Sequence, residues 1–213
     1  CGQLSRVHGG AVPVTEPEAS APLGYIALQT RSTQHIEQKT TIAEHALTMI
    51  QEGQIIALDY GSTSQMLALA LNKQFQNLTI VTNSIQNALI LSECPGYTVI
   101  LTGGILNKNE YTLVDNMTPL MEHLHIDTYF MSVSGIDPVV GCTDLGFSEA
   151  NIQNWMRRAA AKTIVLADSS KFGRSSLVKV CPVSEVNCII TDSGLSPEMQ
   201  AAFSQQSVNL VVV

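Results

Sequence analysis

The chain predicts an α/β fold, a mostly parallel sheet flanked by helices, and three observations carry that reading. Short apolar runs recur along it, each followed by a small polar turn and then a stretch of helical length. Hydrophobic residues make up 45% of the chain but aromatics only 5%, so the core must be built from Ile, Leu, Val and Ala, as in strands covered on both faces. The 213 residues suit one α/β domain with a small extension.

The elements follow in order. Residues 1–24 hold Gly2, Gly9, Gly10, Pro13, Pro17, Pro22 and Gly24, the composition of a linker or the tail of another domain. Apolar residues at Ile42, Ala43, Ala46, Leu47 and Ile50 give 37–51 a helical period, which Gly53 ends. Ile55–Leu58 is a strand. Asp59-Tyr-Gly-Ser-Thr-Ser64 is its turn, and a Leu/Ala/Met-rich helix runs on to about Leu71. The unit recurs as a strand at 78–82, with a helix opening at Asn83-Ser84 and running to Glu93. A strand at 97–102 ends at Gly103-Gly104, and Pro119–His125 reads as a helical turn or two. A strand at 127–133 ends at Ser134-Gly135, and 148–161 is helical with Ser148 as its cap. A strand at 163–167 ends at Asp168-Ser-Ser-Lys171. Strands at 186–191 and 210–213 enclose a last helix at 197–206, whose first residue is Pro. Strands alternating with helices of ten to fifteen residues imply βαβ units.

In such sheets ligands bind beyond the carboxyl ends of the strands. Here those ends are rich in Gly, Ser, Thr, Asn and Asp. Gly61, Ser62, Thr63 and Ser64 open a helix, whose first N–H groups lack intrahelical partners and carry partial positive charge. That is a seat for a phosphate or carboxylate. Ser62 or Thr63 as an ordinary N-cap explains the same residues. Five polar strand ends on one rim favour a polar pocket.

The formal net charge of −7 argues against a domain that grips DNA by itself, since phosphate neutralisation needs an excess of cations. The five cysteines, Cys1, Cys94, Cys142, Cys181 and Cys188, are scattered without a C-x-x-C pair, which suits free thiols in a reducing cytoplasm. His123 and His125 lack metal-ligand spacing, so no metal is expected. No apolar run is long enough for a membrane span, and the polar, Gly-rich N-terminus does not read as a signal peptide. The first residue is Cys rather than Met, as expected of a piece of a longer chain. The P-loop spacing and the long Gly-rich dinucleotide fingerprint are absent, and no cofactor is expected.

The ordered set of short motifs resembles the C-terminal effector-sensing domain of DeoR-family bacterial transcriptional repressors. Arg6-Val-His-Gly-Gly-Ala11 looks like the end of that family's winged helix-turn-helix, and 39–51 like the helix that opens the sensor. Asp59–Ser64, Leu78–Ser84, Leu101–Gly104 and Ser134–Asp137 look like its successive strand ends. Glu149-Ala150, Ile189-Ile-Thr-Asp192 and above all Ala167-Asp-Ser-Ser-Lys-Phe-Gly173 complete the match, which covers nearly the whole chain.

The resemblance implies a Rossmann-like fold similar to ribose-5-phosphate isomerase and coenzyme A transferases. It implies a sensor for a phosphorylated sugar or sugar-pathway intermediate, a homodimer or homotetramer, and operator DNA contacted through a domain before residue 1. Residues 1–24 would be the remnant of that domain and its linker, and 25–213 the sensor. The ligand-binding residues expected are Gly61, Ser62, Thr63, Ser64, Asn83, Gly103, Gly104, Ser134, Gly135, Glu149 and Lys171. Structural alternatives stand beside several: helix capping for Asn83, turn formation for Gly103 and Gly104, dipole complementation for Glu149, a solvated surface position for Lys171. Arg157 and Arg158, late on their helix, are explained by its dipole.

Three departures from the family pattern bear on the ligand. Ser134 stands where the family often has Asp, Gln153 where a Lys is common, and Asp115 where many members have Gly. Losing a cation and gaining an acid should weaken attraction for a doubly charged phosphate. A sugar-phosphate isomerase or deaminase on the same fold is the alternative function, with Glu149 as a lone base. The lysine motif of the isomerases is missing, so no enzymatic activity is expected.

Overall fold

The computed structural model describes residues 4–7, 10–13, 26–115 and 123–213. Strands β1 (Leu4–Val7) and β2 (Gly10–Pro13) pair antiparallel. Helices α1 (Leu28–Thr33) and α2 (Ile36–Leu47) follow. Seven parallel strands then make the central sheet: β3 (Ile55–Leu58), β4 (Thr79–Thr82), β5 (Thr98–Leu101), β8 (Ile126–Ser132), β11 (Ala160–Leu166), β13 (Cys188–Thr191) and β14 (Asn209–Val212). Their order across the sheet is β14-β13-β11-β8-β3-β4-β5. The chain starts in the middle at β3, moves outward to β5, then crosses back and builds away from β8. This is the doubly wound Rossmann order, with its switch point between β3 and β8.

The strand sequences set the two faces. Along β3, β4 and β8, Ile56, Leu58, Ile80 and Phe130 pack with Ile42 and Ala46 of α2 and with Leu67 and Leu71 of α3 (Ser62–Gln74). The alternate residues Ala57, Val81, Tyr129 and Met131 pack on the other face with Met156 of α5 (Phe147–Ala159) and Phe203 of α6 (Pro197–Ser204). Period-two alternation therefore feeds two separate cores, which is why these strands read as continuous apolar runs. Phe130 is wholly buried, so Phe130→Ala is expected to cost about 3–5 kcal/mol.

Several elements depart from the expected ones. Helix α1 was not anticipated; its sequence Leu-Gln-Thr-Arg-Ser-Thr has a single buried residue, Leu28, and so no apolar period to read. Two antiparallel additions lie beyond the sheet. One is the hairpin β6 (Ile105–Asn107) with β7 (Thr112–Val114), the other β9 (Gly135–Asp137), β10 (Gly141–Asp144) and β12 (Val178–Cys181). Ser148 does not cap α5: the N-cap is Gly146, and the Ser148 hydroxyl bonds Asp115 Oδ2 at 3.1 Å. Helix α5 ends at Ala159 and β11 starts at once, earlier than expected. The last helix begins as expected, with Pro197 in its first turn and Ser196 accepting from the Met199 amide. The turn expected at Pro119–His125 lies mostly outside the described residues. Among the described residues no helix is long and apolar enough to cross a membrane.

Candidate ligand-binding site

Helix α3 starts at the switch point, and its N-cap is Gly61, with extended φ and ψ and no side chain to offer. The bland account of Ser62 or Thr63 as the cap therefore fails. The first intrahelical bond runs from Gln65 N to Gly61 O at 2.9 Å. The amides of Ser62, Thr63 and Ser64 thus stand ahead of the ladder, as the geometry of a helix start requires. Ser62 and Thr63 are 6% and 5% exposed, and their hydroxyls have no partner among the described residues. Ser64 is spent otherwise: its Oγ donates to Asp59 Oδ1 at 2.7 Å and lies 2.8 Å from Ser132 Oγ. Since Ser64 has one proton and gives it to Asp59, Ser132 donates to Ser64.

Asp59, at the carboxyl end of β3, is fully buried and forms the floor. Its Oδ2 accepts from the Ser132 amide at 2.7 Å and the Tyr129 hydroxyl at 3.2 Å; its Oδ1 also accepts from the Gly61 amide at 3.3 Å. Burial pushes the Asp59 carboxyl up, opposed by the hydrogen bonds from Ser64, Ser132 and Gly61. Gln153 of α5 reaches the same floor. Its Nε2 donates to Asp144 Oδ2 at 2.8 Å and Ser132 O at 3.0 Å, with Asp59 Oδ2 at 3.3 Å. An amide nitrogen has two protons, so the Asp59 contact is the weakest of the three. Asp144 also accepts from the Tyr60 hydroxyl at 2.9 Å and from Ser134 Oγ at 2.7 Å. Burial first, and Asp144 second, raise the Tyr60 hydroxyl well above its ordinary pKa.

Three cations stand over this polar floor. Lys171, in the 3-10 turn Ser169–Lys171 after β11, is partly buried, and its side chain makes no hydrogen bond or ion pair among the described residues. Burial lowers its pKa, with Asp168 pulling the other way. Lys39 of α2 is 2% exposed and donates to the carbonyls of Arg31 and Gln34 at 2.5 and 2.6 Å, which ties down the end of α1. Burial lowers Lys39 to about 8. Arg31 of α1 pairs with Glu110 in the β6–β7 turn, and its charge acts on Lys39, Lys171 and Tyr60 together.

The other expected residues fare differently. Asn83 does not cap the next helix: α4 (Ile85–Leu91) is capped by Ser84, whose Oγ accepts from the Asn87 amide at 3.2 Å. Asn83 is 1% exposed, its Nδ2 reaches Leu113 O at 3.5 Å, and its Oδ1 is buried with no partner among the described residues. Gly103 and Gly104, at φ +75° and +116°, take the backbone turn that launches the β6–β7 hairpin from the edge strand β5. The ends of β5 and β11 are four strand spacings apart, about 19 Å, so Gly103 and Lys171 do not meet on one small ligand. The five polar ends therefore form a row, with those of β11, β8, β3 and β4 on adjacent strands and that of β5 farthest from Lys171. In front of Gly135 stands the carbonyl of Arg174, 2.6 Å from where a Cβ would lie, so that glycine serves the close approach of the 173–176 segment. Glu149 is already engaged: its Oε1 accepts from Asn107 Nδ2 at 2.6 Å, with Thr112 Oγ1 at 3.5 Å, and its Oε2 lies over Gly146. It anchors the hairpin to the start of α5.

Arg31, Lys39, Tyr60, Asp59, Asp144 and Glu110 are joined to the candidate site by hydrogen bonds or charge and are absent from the residues expected from sequence. Asp59 and Tyr60 adjoin the glycine turn and carried a signal. Arg31 and Glu110 arrive from an unanticipated helix and hairpin, 79 residues apart, and carried none. Among the described residues no group of three or more His, Cys, Asp or Glu is placed to hold a metal.

The family model described as "DeoR C terminal sensor domain" matches residues 34–193. The chain is 32% identical over 203 residues to an HTH-type transcriptional regulator, GolR, of Listeria innocua, covering 95% of this chain and 78% of the relative. It is 31% identical over 212 residues to an L-fucose operon activator of Haemophilus influenzae, covering 99% and 82%. Among solved structures, ribose 5-phosphate isomerase A from Neisseria gonorrhoeae superposes with a TM-score of 0.50 at 20% identity, over 70% of this chain and 57% of that one; this likeness is one of fold. With a family model spanning three quarters of the chain, and relatives aligned over nearly all of it, the chain belongs to the DeoR family of transcriptional regulators, and residues 34–193 are its sensor domain.

Proposed function

We propose that this domain senses a phosphorylated sugar or a related intermediate and is the regulatory part of a repressor of sugar metabolism. The observation that carries the reading is the start of α3. A glycine N-cap leaves the amides of Ser62, Thr63 and Ser64 ahead of the helical ladder beside two hydroxyls, and partly buried Lys171, whose side chain has no hydrogen bond or ion pair among the described residues, stands on the same rim. An anion at a helix start satisfies those amides and gains from the dipole, and Lys171 adds a point charge. Buried orphan atoms on the rim, Asn83 Oδ1, Gln153 Oε1, Asp168 Oδ2 and Arg31 Nε, support a polar ligand, since each left unpaired costs about 1–3 kcal/mol. The L-fucose operon activator among the relatives supports a sugar-related effector.

Occupancy would act on the spacing of DNA-binding domains in a homodimer or homotetramer, through a domain preceding this one, and only to the extent that the ligand prefers one arrangement. The chain is a regulator rather than an enzyme by family, and Glu149, held by Asn107, is not poised as a free base. A thermal-shift screen tests the reading: phosphorylated sugars raise the melting temperature and the same sugars without phosphate do not. Equal stabilisation by both would reject it.

A further inference from the structure

The Arg31–Glu110 pair joins the two elements that flank the site from above. Arg31 rides on α1, which is docked on the first turns of the domain by two contacts that do not involve the guanidinium. Ser32 Oγ shares its one proton between Leu28 O at 2.9 Å and Gln65 Oε1 of α3 at 3.1 Å, and Lys39 Nζ holds the carbonyls of Arg31 and Gln34. Glu110 sits in the turn of the β6–β7 hairpin, which is itself fixed at the rim. Ile85 N donates to Tyr111 O at 3.0 Å, Leu113 N donates to Asn83 O at 2.8 Å, and Asn107 donates to Glu149. Both partners are largely buried, with side chains 18% and 7% exposed, so the ion pair is shielded from solvent between α1 and the β6–β7 turn. Arg31 Nε is buried and has no hydrogen-bond partner among the described residues, so one donor of the guanidinium is unused.

The charges make this pair a competitor for an anionic ligand. An arginine binds a phosphate as well as a carboxylate through the same planar fork. A dianion at the start of α3 would lie among Lys171, Lys39 and Arg31, whose charges already act on one another. It would also meet Glu110 as a like charge. We propose that the Arg31–Glu110 pair is a latch across the site: an anionic ligand takes over Arg31, Glu110 is released, and occupancy is thereby passed to α1. Helix α1 is the first helix of the domain along the chain, and the polypeptide that enters it leads back through residues 1–27. The latch therefore sits where a ligand signal would leave the sensor on its way to a preceding domain. The proposal rests on the phosphate reading above, and it adds a specificity element: a neutral sugar gives Arg31 nothing to exchange Glu110 for.

The test is a double-mutant cycle on ligand affinity, measured by calorimetry with D-ribose 5-phosphate, fructose 6-phosphate and inorganic phosphate as probes. Glu110→Gln is expected to tighten the best probe several-fold, because Arg31 no longer has to be detached, and Arg31→Ala to weaken it tenfold or more. In the Arg31→Ala background, the gain from Glu110→Gln is expected to shrink to the small part that relief of like charge supplies. A gain of the same size with and without Arg31 would mean that Glu110 only repels the ligand, and the latch would be wrong. No gain at all from either Glu110→Gln or Glu110→Ala would also reject it. If the unmutated protein binds none of the probes, the phosphate reading falls and takes the latch with it. If it binds, and Lys171→Ala weakens binding while the cycle shows no coupling, only the latch falls.

Discussion

A Cβ placed on Gly61 falls 2.1 Å from Oγ and 2.2 Å from Cβ of Ser132. The end of β3 and the end of β8 are thus pressed together at the switch point, and the helix that carries the unpartnered amides can start there only because residue 61 has no side chain. The glycine is needed for contact rather than for its dihedral angles, since φ is −65°.

Gly61→Ala is therefore expected to destabilise the protein by about 1–3 kcal/mol through overpacking, lowering the melting temperature by about 2–4 °C for each kcal/mol. Ser132→Gly removes both clashing atoms, so the double variant should recover part of the loss. Urea denaturation of the two single variants and the double variant measures the coupling; strict additivity would count against the contact.

Gln153 stands between two buried carboxylates. Gln153→Leu removes the donor that Asp144 and the Ser132 carbonyl share and should cost about 1–3 kcal/mol. Gln153→Lys instead adds a charge beneath the proposed anion seat. It should tighten a sugar phosphate on the order of tenfold and leave binding of an unphosphorylated sugar unchanged. Calorimetry on the variant checks this, and an unchanged phosphate affinity would show that the floor does not couple to the ligand.

Lys39 gives a pH dependence with a definite sign. Its folded value is lowered to about 8 by burial, below the ordinary 10.5. Between those two values the unfolded chain binds the extra proton, so this group's contribution to stability rises as pH rises through that window. Below pH 8 the cost of burying the ammonium is fully in force. The stability of the protein relative to Lys39→Met should therefore grow between about pH 8 and 10.5. Chemical denaturation across that range reads it, and a flat or falling difference would contradict the burial argument.

The repeated unit of apolar run, polar turn and amphipathic helix made the parallel sheet readable, because strands such as Ile55–Leu58 and Cys188–Thr191 are buried on both faces and need no partner to declare themselves. Of the candidate site, the residues that follow such strands directly were readable as candidates: Gly61 to Ser64, Asn83, Ser134 and Lys171. What was missed depends on tertiary pairing. The β6–β7 and β9–β10 hairpins use strands of three or four residues with no local period. Cys142 and Cys181 are 39 positions apart yet face each other across β10 and β12. Caps were misplaced for a physical reason: Ser62 and Ser148 each follow within two residues of a glycine, and in both cases the chain turns at the glycine, leaving the hydroxyl inside the first turn. At α3 that displacement is what frees the donors on which the proposed function rests.

The most direct test of that function follows the backbone amides of Gly61 to Gln65 by NMR during titration with a phosphorylated sugar and with its unphosphorylated counterpart. The phosphate seat predicts large shifts at Ser62, Thr63 and Ser64 with the phosphorylated sugar only, abolished by Thr63→Glu, which puts a carboxylate where the phosphate would sit. Equal shifts with both sugars, or binding that leaves these three amides unmoved, would contradict it.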